Sequence, residues 1–165
     1  MKEKHLTARY LQALAISKCS SCLRRKVGTV IIEPKRNVVV ADAYNGNTRD
    51  GSKLCGGDHC LRDKQDLQSG QSNDVGCLHA EAGAICNAAA QGTATAGAWM
   101  LVTIPPCINC AKLIHHCGIK KVIIGDPGSG YCEDGLSYLI VNGVEIVYLK
   151  NTSFDVDEHK LDMYV

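Results

Sequence analysis

From Ala80 onward, helix-like and strand-like segments alternate along the chain, and this order limits the fold more than any other feature of the sequence. A helix is expected from about Ala80 to Gln91, closed by Gly92, since glycine takes the left-handed backbone that ends a helix. A strand follows at Trp99 to Ile104. A helix is expected after Pro105-Pro106, because proline is tolerated in a first turn, where its missing N–H has no helical partner to lose. Lys120 to Gly125 and Glu145 to Leu149 read as two more strands, with a helix near Asp134 to Val141 between them. Upstream, residues 6–18 place Leu6, Tyr10 and Leu14 near one helical face. Val27 to Glu33 and Asn37 to Tyr44 are rich in β-branched residues and split by Pro34-Lys35-Arg36, the pattern of an antiparallel hairpin. These segments predict a three-layer α/β/α sandwich around a mixed five-stranded sheet, with the hairpin as its antiparallel part. Residues 1–150 then form one domain, a length that can bury its own core, and residues 151–165 a polar, weakly patterned tail.

Between the hairpin and the Ala80 helix, residues 45–77 break the alternation with Gly, Asp, Ser and Asn, and carry Cys55, Cys60 and Cys77. A structureless insertion of that length is uncommon, so something must organise it. The chain has 10 cysteines. It opens without the continuous apolar stretch of a secretory signal or membrane span, so a cytoplasmic protein with no membrane partner is expected. Reducing compartments disfavour structural disulfides, which leaves metal thiolates as the better use of so many sulfurs. Cys86, Cys117 and Cys132 read instead as small buried apolar residues. With 18 Lys+Arg against 17 Asp+Glu, no basic field gathers the phosphates of a long nucleic acid, and a small substrate is favoured over a polymer.

Chemistry concentrates in two short motifs, His79-Ala80-Glu81 and Pro106-Cys107-Ile108-Asn109-Cys110. One imidazole and two thiolates supply three zinc ligands and leave the fourth tetrahedral position open, which is the arrangement of a catalytic rather than a structural ion. Each motif opens a helix, whose positive end helps hold the cysteines as thiolates. Glu81, two residues beyond His79, can reach a reacting water without ligating the metal, and is the candidate general acid/base. A lone C-x-x-C could be a redox pair and a lone helical His structural, but here both halves occur together, in order, with a strand before the prolines. The combination is an already known signature of zinc nucleobase deaminases.

Over about residues 6–149 the sequence resembles the deoxycytidylate deaminase family of the cytidine deaminase-like superfamily. Beyond the zinc motifs, the resemblance rests on Lys26-Val27-Gly28-Thr29-Val30-Ile31, Tyr44-Asn45-Gly46, and the run from Pro106 to Ile114. It implies hydrolysis of dCMP to dUMP with release of ammonia, a homo-oligomer with hexamers known among family members, and dCTP and dTTP as candidate effectors. It also implies that Asn45 and Tyr131 contact the substrate, Asn45 through the sugar. Gly83 stands where many relatives have Asn, and the Ala80 helix has no cation, so the phosphate must be met elsewhere; Arg24, Arg25, Lys26, Arg49, Lys53 and Arg62 are the candidates.

Cys22, Cys55, Cys60 and Cys77 recur where similar family members carry cysteine or histidine ligands, so the resemblance implies a second, structural zinc. His59 could replace one of the four, and Cys19 could compete with Cys22. Such a site would tie the polar insertion to the start of the first strand. Rival readings are a deaminase acting on another nucleoside, nucleotide or base, and a non-catalytic zinc module that senses nucleotides. The intact Glu81 argues against the second.

Overall fold

The computed structural model describes residues 1–48, 54–56, 59–68, 75–125 and 133–149. Helix α1 (Glu3–Ser17) leads into the hairpin β1 (Gly28–Glu33) and β2 (Val38–Tyr44). Two short strands, β3 (Cys55–Gly56) and β4 (His59–Cys60), and a single helical turn, α2 (Leu61–Lys64), stand within the insertion. The alternating half follows as α3 (Ala80–Ala90), β5 (Trp99–Val102), α4 (Ile108–His116), β6 (Lys121–Ile124), α5 (Glu133–Val141) and β7 (Glu145–Tyr148). The main sheet has five strands in the order β2-β1-β5-β6-β7, with β1 antiparallel to both β2 and β5, and β5, β6 and β7 mutually parallel. The expected mixed sheet is therefore present. A register shift between Ile31 and Ile32 interrupts the hairpin ladder.

Strand burial explains why the central strands read as unbroken apolar runs. Val30-Ile31-Ile32, Met100-Leu101-Val102 and Val122-Ile123-Ile124 are all buried, because both faces of the sheet are covered. Ile31, Met100, Val102, Val122 and Ile124 turn toward α3, α4 and α5, meeting Ala80, Ala84, Ala111, Ile114 and Leu139. Val30, Ile32, Leu101 and Ile123 turn the other way, toward Tyr10 and Ala13 of α1. Each large aliphatic side chain so buried contributes roughly 1.5 to 3 kcal/mol, so the sheet's centre, not the insertion, holds the domain together. Gly28 lets α1 lie close on β1: a Cβ there would overlap the Ala13 carbonyl oxygen and stand 3.0 Å from the Ser17 amide nitrogen.

Several local expectations change. The prolines lie before the first turn of α4, whose N-cap is Cys107, so Pro105-Pro106 shape the approach to the helix rather than its start. Strand β5 ends at Val102, two residues short of the expected Ile104, and the contact with β1 carries on for one more residue: the Thr103 amide donates to the Gly28 carbonyl, and its hydroxyl accepts from the Gly28 amide at 3.1 Å. Cys86 is exposed on the outer side of α3, not buried in the core, and Cys117 is half-buried. Cys132 and the tail, residues 151–165, lie outside the described residues.

Inside the insertion, a single side chain orders the β3 start. Asn47 Oδ1 accepts from the Leu54 and Cys55 amides at 2.7 and 2.8 Å, and its Nδ2 donates to the Cys55 carbonyl at 2.9 Å. Among the described residues no helix is long and apolar enough to cross a membrane.

Candidate active site

His79 is the N-cap of α3 and Cys107 the N-cap of α4, both with extended backbone and neither using its side chain to cap. Positions that ordinarily favour Ser, Thr, Asp or Asn thus present a ring nitrogen and a sulfur into a shared space. Cys110 follows in the first turn of α4, on its buried side. The helices lie side by side on one face of the sheet, and Cys107 is reached from the carboxyl end of β5, where open α/β sheets place their ligands. His79 Nδ1 lies 3.4 Å from Cys107 Sγ and 3.5 Å from Cys110 Sγ. The ligand atoms of the three residues all fall within 4.8 Å of one another, and no other group of three or more such side chains meets that spacing among the described residues. Two sulfurs and one imidazole at this separation suit a tetrahedral zinc with one free position.

The electrostatics follow from crowding these groups at two helix N-termini. The Cys110 thiol, hydrogen-bonded to Cys107 and helped by His79, holds the Cys107 thiol down at about 4, despite burial. Cys110 is pushed upward by the same sulfur contact and by burial. The hydrogen bond to Cys107 raises His79 against the opposing effect of burial. Glu81, in the first turn of α3, is only 3% exposed. Burial raises its carboxyl above the ordinary carboxylate range, with His79 pulling the other way. A carboxyl that can both take and give a proton is what acid/base work at neutral pH requires.

The Tyr44-Asn45-Gly46 turn reaches this site through the backbone. Gly46 and Leu78 exchange amide-to-carbonyl bonds of 3.1 and 2.9 Å, which seats the turn next to His79. Asn45 is 5% exposed. Its Oδ1 accepts from the Val27 amide at 2.8 Å, and its Nδ2 donates to the Arg25 carbonyl at 2.9 Å, so the side chain fixes the turn against the entry to β1. Gly83 packs closely on β2: a Cβ there would stand 3.1 Å from the Ala43 Cβ, a tight contact that α3 and β2 would have to ease. Tyr131 lies outside the described residues, as do Arg49 and Lys53. Arg24 pairs with Asp63 at 3.1 Å, and Arg62 donates to the Val75 and Gln68 carbonyls.

The remaining cysteines gather less tightly. The Cys77 thiol hydrogen-bonds Cys22 and lowers it to about 5, with help from the Arg25 and Arg24 amides. Cys77 is raised by the same bond and by burial, and feels Cys55 electrostatically. Cys55 and Cys60 face each other across the β3–β4 ladder. Two features of the neighbourhood leave no mark in the sequence: the Asn47 clamp, which no local pattern separates from other loop asparagines, and the close approach of Gly135 to Pro106 and Cys107.

Comparison with known proteins agrees with this geometry. The Bacillus subtilis ComE operon protein 2 is 36% identical over 113 residues, 62% of this chain and 49% of that protein, so the chain spans about half that relative's length. The deoxycytidylate deaminase of enterobacteria phage T4 is 31% identical over 153 residues, covering 73% of this chain and 74% of that one. The dCMP deaminase of cyanophage S-TIM5, solved in complex with dCMP and dUMP, matches with a TM-score of 0.72 at 28% identity, covering 90% of this chain and 98% of that one. A family model described as the cytidine and deoxycytidylate deaminase zinc-binding region matches residues 2–126, and with His79, Glu81, Cys107 and Cys110 all within that span, the chain belongs to this deaminase family.

Proposed function

We propose that the chain hydrolyses dCMP to dUMP and ammonia within pyrimidine deoxynucleotide metabolism. The observation that carries the reading is the convergence of His79 Nδ1 with the Cys107 and Cys110 sulfurs beside the buried Glu81. When bound, zinc supplies an electropositive centre that brings the ionisation of water from a pKa near ~16 toward ~7. Glu81 takes one proton from the attacking water and gives it to N3, then takes the second from the hydroxyl left at C4 and gives it to the departing amine, so that the C4–N bond breaks as the C4 carbonyl forms. His79, Cys107 and Cys110 would hold the metal, whose positive charge, with the N-terminus of α4, favours the thiolate form of the two sulfurs. Asn45 and Tyr131 are the substrate contacts in this reading; the backbone bridge between Gly46 and Leu78 seats the Asn45 turn next to His79, and a sugar hydroxyl would share the Asn45 amide with its bonds to Val27 and Arg25. A homo-oligomer, dCTP and dTTP as effectors, and a cytoplasmic location belong to the same reading and rest on the resemblance and on the character of the sequence.

Substrate choice is tested by parallel assays of dCMP, CMP, deoxycytidine, cytidine and guanine with metal-replete protein. Turnover should be greatest on dCMP. Faster turnover of another of these compounds would reassign the substrate, and absence of ammonia from all of them would support the non-catalytic zinc module.

In the same reading Cys22, Cys55, Cys60 and Cys77 hold a second, structural zinc. The contact between Cys22 and Cys77, and the opposition of Cys55 and Cys60 in the β3–β4 ladder, support this assignment. Elemental analysis should find two zinc ions per chain, falling to one in Cys55→Ser/Cys60→Ser. That variant should exchange amide hydrogens faster in the segment around residues 54–68 and unfold at lower temperature, because binding energy at such a site is also folding energy. One zinc per chain in the metal-replete parent would sink the second site.

A further inference from the structure

We propose that Gly135 is a positioning residue for the metal centre: the missing side chain lets α5 lie directly behind Cys107 and holds that ligand in place. The inference rests on the reading of Cys107 as a zinc ligand. Gly135 is buried in the first turn of α5, a helix with no side chain in the metal group. A Cβ at this position would overlap the Pro106 carbonyl oxygen and stand 2.9 Å from the carbonyl carbon and 3.1 Å from the carbonyl oxygen of Cys107. The obstacles are backbone atoms of the ligand-bearing segment, not the ends of flexible side chains, so they cannot swing aside. The Cys107 carbonyl is already committed: it accepts from the Ala111 amide at 2.8 Å and so starts the α4 ladder. Ile114 of α4 and Leu139 of α5, both fully buried, belong to the same core, which resists separation of the two helices. A methyl group at Gly135 must therefore move the Pro106–Cys107 backbone, α5, or both, and the sulfur of Cys107 moves with its backbone.

Groups outside the ligand set that fix a ligand's orientation typically cost about 10- to 100-fold in metal affinity when mutated, and a shift of the Cys107 backbone disturbs the same orientation. Gly135→Ala should bind zinc at least ~10-fold more weakly in competition with a chelator, and its cobalt-substituted form should show a shifted thiolate-to-metal absorption band. Gly28→Ala is the matched control. It meets backbone as severely, at Ala13 and Ser17, but those atoms belong to α1, which supplies no side chain to the metal group. It should lower thermal stability and leave the zinc affinity of folded protein and the cobalt spectrum unchanged.

A measurement on the unaltered chain covers the case in which Gly135→Ala does not fold. If α5 and Cys107 support each other, stripping the metal should speed amide hydrogen exchange over residues 136–140 several-fold, although none of these residues is a ligand. Unchanged affinity and spectrum in a folded Gly135→Ala, equal losses of affinity in Gly135→Ala and Gly28→Ala, or exchange in α5 that ignores the metal would each overturn the proposal. Cys107→Ala separates this failure from failure of the underlying reading. If Cys107→Ala keeps its metal, Cys107 is not a ligand; if it loses metal while Gly135→Ala does not, only the role of Gly135 is wrong.

Discussion

Glu81→Gln should fold, retain the metal of the His79/Cys107/Cys110 centre, and lose turnover by at least ~100-fold, the low end of what a positioned general acid/base contributes. The amide preserves the shape of a side chain that is 3% exposed, so packing around α3 should not change. It cannot accept a proton from water or deliver one to the leaving amine, and the loss corresponds to about 3 kcal/mol or more of transition-state stabilisation. The decisive comparison is kcat against zinc content in one preparation. Full metal with turnover within tenfold of the parent would remove Glu81 from the acid/base role. Loss of metal together with rate would mean that the carboxyl supports the ion instead.

Cys107→Ala and Cys110→Ala should each lose the catalytic metal as well as turnover. Two ligands and an open face hold zinc far less firmly than three, and His79 Nδ1 would then face a single sulfur. The variants should differ in fold stability, because Cys110 is 2% exposed against the core whereas Cys107 is half-buried at the N-cap. Cys110→Ala therefore leaves a small internal void, and should show the lower Tm when both proteins are compared metal-free. Zinc measured after dialysis against a weak chelator checks the first claim. Normal metal content in both variants would place the zinc elsewhere.

Much of this organisation is visible in the residues themselves, for physical reasons. The central strands are buried on both faces and so appear as unbroken apolar runs, while the surface helices show polar interruptions. The metal motifs are legible because His79 with Glu81, and Cys107 with Cys110, are each local: a helix start brings them together without long-range information. What is hidden depends on pairs distant in sequence. Gly135 has no unusual backbone angle to demand a glycine, and only the approach of Pro106 and Cys107 explains it. Gly83 departs from the family motif, and its close approach to Ala43, forty residues away in sequence, is a contact no local pattern displays. Asn45 belongs to a turn by its sequence, but its burial and its bonds to Val27 and Arg25 required the entry to β1 to be in place. The exposure of Cys86 was equally unreadable, since a cysteine in an Ala-rich helix looks the same on either face.

The most direct test of hydrolytic deamination is to incubate the metal-replete chain with dCMP in oxygen-18 water and follow ammonia and nucleotide together. The expected result is one ammonia for each dUMP formed, with one heavy oxygen at C4 of the product and none in residual dCMP, and with both signals absent from Glu81→Gln over the same interval. Ammonia without dUMP, dUMP that carries no heavy oxygen, or no ammonia from a chain with its zinc in place would contradict it.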